Sequence, residues 1–440
     1  MRSHFKINSF QTEVIPMKKV IALALVLVLA IGVFAACGGT GDNNDEPKML
    51  GMSDSPLAAP EITKDYEIKE DFKIGFICLH DEQSTYDLNF LNAANSVQSA
   101  LGLTNEQVII KTNIPEGNEC YEAAKDLVNQ GCNIIFANSF GHEDFMIKAA
   151  KEFPNVQFCH ATGTKAHTEG LKNYHNAFAS IYQGRYLAGI VAGMKLNEMI
   201  EAGTITADQA KMGYVGAFTY AEVMSGYTSF YLGAKSVCPS VTMEVQFTGS
   251  WYDPTEEKNA AEALINNKCV LISQHADSMG APSACENAGV PNVSYNGSTY
   301  ESCPETFLVS SAINWAPYFN YIIACVNKGE EIAADWCGGI AEGSVVLSGL
   351  NQDVIAEGTM AKVEEAITGF KSGSLNVFDT KNFTVDGKPL TTYMADVDTD
   401  KDFAADTEAI KDGYFNESAD RSAPYFNVKI DGIKLLNEKF

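Results

Sequence analysis

From Lys73 onward the chain alternates short apolar runs with stretches of helical periodicity, and it does so twice over. The runs Lys73–Leu79, Val108–Thr112, Asn133–Ala137, Val156–Gly163 and Tyr174–Ile181 have strand length. Between the first two, Leu91, Ala94, Val97 and Leu101 share one helical face. Cys120–Asn129 and His142–Phe153 fill the next gaps. Parallel neighbours need a crossover of a dozen or more residues, and a helix supplies it. The pattern therefore predicts an α/β, doubly wound parallel sheet.

After an apolar helix at Gly184–Leu196 and a polar linker at Asn197–Lys211, the pattern restarts. Met212–Phe218, Thr242–Thr248, Cys269–Ser273 and Val293–Gly297 read as strands, with helices at Glu222–Ser236 and Pro254–Asn266. We expect two Rossmann-like lobes joined by a hinge, with the ligand in the cleft between them. Lobe 1 is expected at 71–182 and 314–340, and lobe 2 at 197–306 and 341–440. The run Phe307–Trp315 is expected to return to the first lobe, which puts Asn314 and Trp315 at the hinge. Gly189 and Gly193 suit close helix packing. The acidic stretch Asp396–Asp420 reads as loop and is given no role.

The chemistry gathers where apolar runs end. Ser250-Trp251-Tyr252-Asp253-Pro254 and Gln274-His275-Ala276-Asp277-Ser278 each close a strand and lead into a helix. Strand ends and helix N-termini leave donors and side chains facing a crevice. An aromatic, carboxylate, amide and imidazole set at one rim suits a flat, polar heteroaromatic ligand. Bland readings stand beside this one. Trp251 serves equally as a core anchor, and His160 and His275 as structural histidines. Asp253 reads first as the N-cap of the helix that Pro254 begins. Asp277 lies past a strand end and is not needed as a cap.

Met17-Lys18-Lys19, the apolar run Val20–Phe34 and Ala35-Ala36-Cys37-Gly38 together have the form of a secretory signal. The run is too short for a stable membrane span. Cys37 sits where a bacterial lipoprotein is cleaved and acylated; cleavage near Ala36 without a lipid is the alternative. Residues 1–36 are thus expected to be a leader with its true start at Met17. Residues 37–65 are expected to be a flexible tether, being polar and Gly-rich at the outset. The mature body is then held at the extracytoplasmic face of the cell membrane.

The chain has 440 residues, 31 basic and 56 acidic side chains, and a net charge of −25. Removing the leader takes away four bases and one acid, so the body is more acidic still. That balance argues against nucleic acid and against docking to anionic lipid through charge. Of eleven cysteines, ten follow Cys37, mostly inside apolar runs such as Ile77-Cys78-Leu79. Buried free thiols explain them better than disulfides. No C-x-x-C pair and no metal-ligand spacing appears, so neither metal nor cofactor is expected.

The Thr85-Tyr86-Asp87 loop after Lys73–Leu79, His160-Ala161-Thr162-Gly163, Tyr182-Gln183-Gly184-Arg185-Tyr186-Leu187-Ala188-Gly189, Ser250–Pro254, Gln274–Ser278 and Asn314-Trp315 occur together. This set resembles the basic membrane protein (BMP) family, the substrate-binding lipoproteins of ABC importers, over about Lys73–Leu350. The resemblance implies a type I periplasmic-binding-protein fold, a purine base or nucleoside as ligand, and ABC permease subunits as partners. It places Thr85, Tyr86, Asp87, Ser139, Phe140, His160 and Thr162 on the first-lobe rim. Phe218, Trp251, Asp253, Gln274, His275, Asp277, Tyr295 and Asn296 face them, with Asn314 and Trp315 at the hinge. The family's first loop often carries Gly-Trp before Thr-Tyr, where this chain has Gln83-Ser84.

Enzyme readings find little support. There is no Gly-x-Ser-x-Gly elbow, phosphate loop, zinc motif or dinucleotide fingerprint after Lys73–Leu79. His160 with Asp87 is the one conceivable hydrolytic pair. A receptor lobe that presents its ligand to a membrane partner is the remaining rival, as is a binding protein for another small polar solute.

Overall fold

A computed structural model describes residues 51–397 and 404–438. The leader, Cys37 and the first part of the tether lie outside the described residues.

In chain order, β1 (Ile74–Ile77), α1 (Thr85–Leu101), β2 (Val108–Lys111), α2 (Asn118–Asn129), β3 (Ile134–Ala137) and α3 (Glu143–Glu152) come first. Next are β4 (Gln157–Ala161), the single turn α4 (Ala166–Glu169), β5 (Tyr174–Ala179) and α5 (Ile181–Glu201). The second series runs β6 (Lys211–Gly216), α6 (Ala221–Val237), β7 (Thr242–Phe247), α7 (Pro254–Asn266), β8 (Leu271–Gln274), α8 (Gly280–Ala288), β9 (Asn292–Tyr295) and β10 (Phe307–Ile313). Then come α9 (Ala316–Lys328), β11 (Asp335–Gly338), β12 (Val345–Leu347) and α10 (Thr359–Ser372). Short pairs β13 (Met394–Ala395) with β14 (Thr407–Glu408), and β15 (Ile410–Lys411) with β16 (Tyr414–Phe415), precede β17 (Ile433–Leu435).

Two sheets result, ordered β11-β5-β4-β3-β1-β2 and β12-β10-β9-β8-β6-β7-β17. Their neighbours pair in parallel, except that β10 and β12 are antiparallel. Helices cover both faces, so central strands such as Ile134–Ala137 and Leu271–Gln274 are buried throughout. The fold is α/β with two lobes.

The chain passes between the lobes three times. It leaves the first sheet after β5 and enters α5, which packs on α6 and β10. It returns after β10 into α9, which packs on α1 and β3. It crosses again between β11 and β12. The run Phe307–Ile313, expected in the first lobe, is thus a strand of the second; Asn314 and Trp315 sit where the chain crosses back. The α5–α6 contact depends on glycine, since a Cβ on Gly189 would lie 2.0 Å from the Phe230 carbonyl oxygen.

Two sequence expectations are corrected. The tether is not free through Asp65. Leu57 is buried, Ser53 N–H donates to Leu350 O at 2.9 Å, and Leu347 N–H donates to Leu57 O at 3.0 Å. Lys328 Nζ meets Asp65 at 3.1 Å. The polar residues before Pro47 dominated the reading, while Leu57 and Ile62 supply the apolar surface that docks residues 51–65. The polar linker from Asn197 is also shorter than expected. α5 continues to Glu201 because Met199 and Ile200 still pack on the core.

All ten cysteines of the described residues are free thiols, nine of them buried. No helix of the described residues is long and apolar enough to cross a membrane.

Candidate ligand-binding site

The carboxyl ends of β1, β3 and β4 face those of β6, β7 and β8 across the interlobe cleft. The non-atom space in the cleft, open solvent included, comes to about 370 Å³. Tyr86, Asp87, Ser139, Phe140 and Thr162 line it from lobe 1, and Trp251, His275 and Asp277 from lobe 2.

Each lobe-1 group is held by its own lobe. Ser84 caps α1 and its hydroxyl donates to Asp87 at 2.7 Å; Asn138 Nδ2 donates to the same carboxylate at 2.7 Å. Burial pushes the Asp87 carboxyl up, but hydrogen bonds from His80, Asn138 and Ser84 outweigh it and hold the group below the usual carboxylate range. Tyr86 Oη donates to Asn138 O at 2.7 Å, which turns its ring toward the cleft. Thr162 has φ +66°, a left-handed backbone uncommon for threonine, where β4 ends.

On lobe 2, Trp251 stands edge-on to Phe218 at 4.9 Å, and Phe218 stacks on Tyr220 at 5.1 Å. Asp277 is buried. Burial, then the nearby Glu257, Asp87 and Glu222 carboxylates, push its carboxyl well above the usual range. Burial thus favours its protonated form, which donates as well as accepts.

The lobes touch directly at the rim. Thr85 N–H donates to Asp277 O at 3.0 Å, and Asn89 Nδ2 donates to Asn296 Oδ1 at 2.8 Å. Phe140 and Tyr220 meet at 5.4 Å across the opening.

Other expected contacts stand behind the cavity wall. His160 Nε2 bonds Ser139 O at 2.6 Å, and burial pushes its imidazole down to about 4. Gln274 accepts from Asn292 Nδ2 at 2.9 Å inside lobe 2. Tyr295 packs beneath His275 at 4.8 Å. Asp253 caps α7, accepting from Thr255 and Glu256 N–H at 3.0 Å. Asn314 Nδ2 donates to Gly343 O at 2.9 Å. Trp315 is 1% exposed and stacks on Phe90 at 4.6 Å, in the aromatic core of lobe 1. The expected hinge contacts Asn314 and Trp315 therefore brace the crossing and do not line the cavity.

Leu79, His80 and Glu222 line the cavity and were not anticipated. Glu222 lies in the first turn of α6, four residues past Phe218. The same strand-to-helix signal that marked Asp277 was present there. Among the described residues no group of three or more His, Cys, Asp and Glu is placed to hold a metal.

Residues 79–372 match the family of PnrA-like ABC transporter substrate-binding proteins. The chain belongs to this family. Among its relatives, a purine-binding protein of Brucella abortus is 31% identical over 313 residues, 70% of this chain and 84% of that one. A putative ABC transporter glucose-binding protein of Haloferax volcanii is 33% identical over 237 residues, 53% of this chain and 57% of that one. An ABC transporter solute-binding protein from Aeropyrum pernix superposes with a TM-score of 0.59 at 17% identity, covering 70% of this chain and 93% of that one. The PnrA-like match spans both lobes and the cleft but ends at α10. The segment from Gly373 onward, with β13–β17, lies outside that match.

Proposed function

We propose that this chain is the extracytoplasmic, lipid-anchored binding component of an ABC importer and that it closes over a purine base or nucleoside. The observation that carries this is the cavity itself. Tyr86, Phe140 and Trp251 offer aromatic surface, and Asp277 and His275 offer hydrogen-bonding groups. A flat heterocycle stacks on the former and pairs its ring edge with the latter. The Brucella relative's name supports the choice of ligand, and the acidic body supports a partner other than nucleic acid. A family of solute-binding proteins supports a role in capture and not in catalysis.

Cys37 carries the lipid in this reading, and residues 1–36 are the exported leader. Lobe 1 is the unit of 71–182 with 314–340, and lobe 2 that of 197–306 with 341–440, to which β10 (Phe307–Ile313) is added. The permease receives ligand when the lobes part.

A thermal-shift screen of the body from Gly51 tests the ligand. A ligand at a hundred times its Kd adds about 2.7 kcal/mol to the native state. Purines and their nucleosides are expected to raise Tm, and sugars and amino acids are not. The name of the Haloferax relative favours a sugar instead; a shift with glucose alone would establish that second reading. Labelled palmitate on the full chain but not on Cys37→Ala tests the anchor.

A further inference from the structure

The cavity wall is rich in acceptors and holds no cationic lysine or arginine. Three carboxyl groups line it, Asp87, Glu222 and Asp277, and no Lys or Arg does. The hydroxyl donors are already engaged. Ser139 Oγ donates to Glu116 at 2.5 Å, Thr162 Oγ1 to Ala161 O at 2.5 Å, and Tyr86 Oη to Asn138 O at 2.7 Å. Asp87 is likewise occupied, accepting from Ser84, Asn138 and the His80 N–H.

Glu222 differs from Asp87. Its nearest partner is His275 Nε2 at 3.5 Å, and one imidazole N–H cannot fill the roughly four lone-pair sites of a carboxylate. α6 begins at Ala221, so the side chain enters the cleft from the first turn. His275 is fixed in turn by Tyr295 at 4.8 Å and by Gly226, where an added Cβ would lie 3.1 Å from Nδ1. The carboxylate is therefore held against the cavity with acceptor capacity to spare.

We infer that the cleft selects a purine bearing an exocyclic amino group and no phosphate, and that Glu222 is the residue that reads the amino group. This rests on the purine reading above. An amino group donates to Glu222, whereas an oxo group at the same ring position sets lone pair against lone pair in a water-poor site. A phosphate meets the Asp87 and Glu222 carboxylates with no lysine or arginine in the lining to offset them, so charge repulsion excludes it.

Titration calorimetry on the body from Gly51 tests this with adenine, hypoxanthine, adenosine and adenosine 5′-monophosphate. Adenine is expected to bind at least about tenfold more tightly than hypoxanthine, the size of one buried unpaired acceptor. Adenosine is expected to outbind its monophosphate by about a hundredfold or more. In Glu222→Gln, whose amide supplies a donor as well as an acceptor, the adenine-to-hypoxanthine ratio is expected to fall to within about threefold. An unchanged ratio in Glu222→Gln, equal binding of the two bases, or tight binding of the monophosphate would overturn the inference while leaving a purine-binding protein. Should Glu222→Gln fail to fold, Glu222→Asp serves, with weakened adenine binding and unaltered hypoxanthine binding as the expected result. Binding of no purine at all would instead remove the purine reading on which the inference stands.

Discussion

The backbone N–H of Thr85 donates to the carbonyl of Asp277 at 3.0 Å, joining the two lobes across the cleft. Thr85 is the first residue of α1, so its N–H is one of the four that a helix leaves unpaired. The closed cleft satisfies it with lobe 2; a parted cleft leaves it to water. Thr85→Pro deletes that donor together with the Thr85 hydroxyl, which donates to the same carbonyl at 3.2 Å, and leaves the helix start intact, because proline suits the first helical position and Ser84 already has the extended backbone that proline demands of its neighbour (ψ 125°). The variant should keep its ligand-free Tm, lose about three- to tenfold in ligand affinity, and sample a larger radius of gyration in small-angle scattering. An unchanged affinity would show that closure does not depend on this bond.

Trp251 and Trp315 should separate function from stability. Trp251 is half-buried against Phe218 and faces the cavity. Trp251→Ala should cost about tenfold or more in ligand affinity, one aromatic stacking partner's worth, with a small change in Tm. A large fall in Tm at unaltered affinity would reverse that assignment.

Trp315→Ala should do the opposite. The ring is 1% exposed and packs on Phe90, Phe136 and Phe319. Its loss should cost about 3–5 kcal/mol in denaturant unfolding, from transfer and cavity together. A loss below about 1 kcal/mol would mean the core collapses around the gap.

Glu417 gives a pH test. Burial pushes its carboxyl up to about 7, while the Ser225 and Ser418 hydroxyls and Arg421 pull the other way and Glu222 adds to the rise. The folded state thus holds a proton that the unfolded chain releases near 4.5. The stability this contributes is whole below pH 4.5 and is lost as pH rises through about 7. Glu417→Gln has no proton to lose, so its Tm relative to the parent protein should climb between pH 4.5 and 7 and then level off. A flat difference would show that the carboxyl is solvated. The parent protein alone would hide this, because burial pushes His142, His160 and His175 down to about 4. Their contributions are whole above pH 6.5 and fade as pH falls toward 4, the opposite slope over the same range.

Much of this architecture was legible from residues. Ile134–Ala137 and Leu271–Gln274 are bounded apolar runs, and such runs announce buried parallel strands. Asp277 was legible because a carboxylate just past a strand end has no capping duty. What escaped notice is what depends on direction. Trp315 sits at a crossing, and one-dimensional spacing does not tell which side of a crossing a ring takes; three phenylalanines from separate elements drew it into the core. Glu222 carried the same strand-end signal as Asp277, but it reads only as the start of the Glu222–Ser236 helix, with Phe218 before it read as the rim. Residues 51–65 read as tether because a lone Leu57 gives no periodicity, although one buried side chain and a few backbone bonds suffice to dock a short segment.

The outer edge of the second sheet carries a consequence for how the molecule is made. β17 pairs with β7, and beyond it Asn437 completes the edge with its side-chain amide, accepting from Phe247 N–H at 2.7 Å and donating to Phe247 O at 2.9 Å, 190 residues away. The first sheet likewise takes its outer strand β11 from far downstream of β5. A chain emerging from the ribosome therefore presents β5 and β7 as bare edges until strands from beyond Asp335 and Ile433 arrive, and unpaired edges invite pairing with other chains. The long separation that seals each sheet makes the nascent protein a client for whatever shields strands until the last segments arrive.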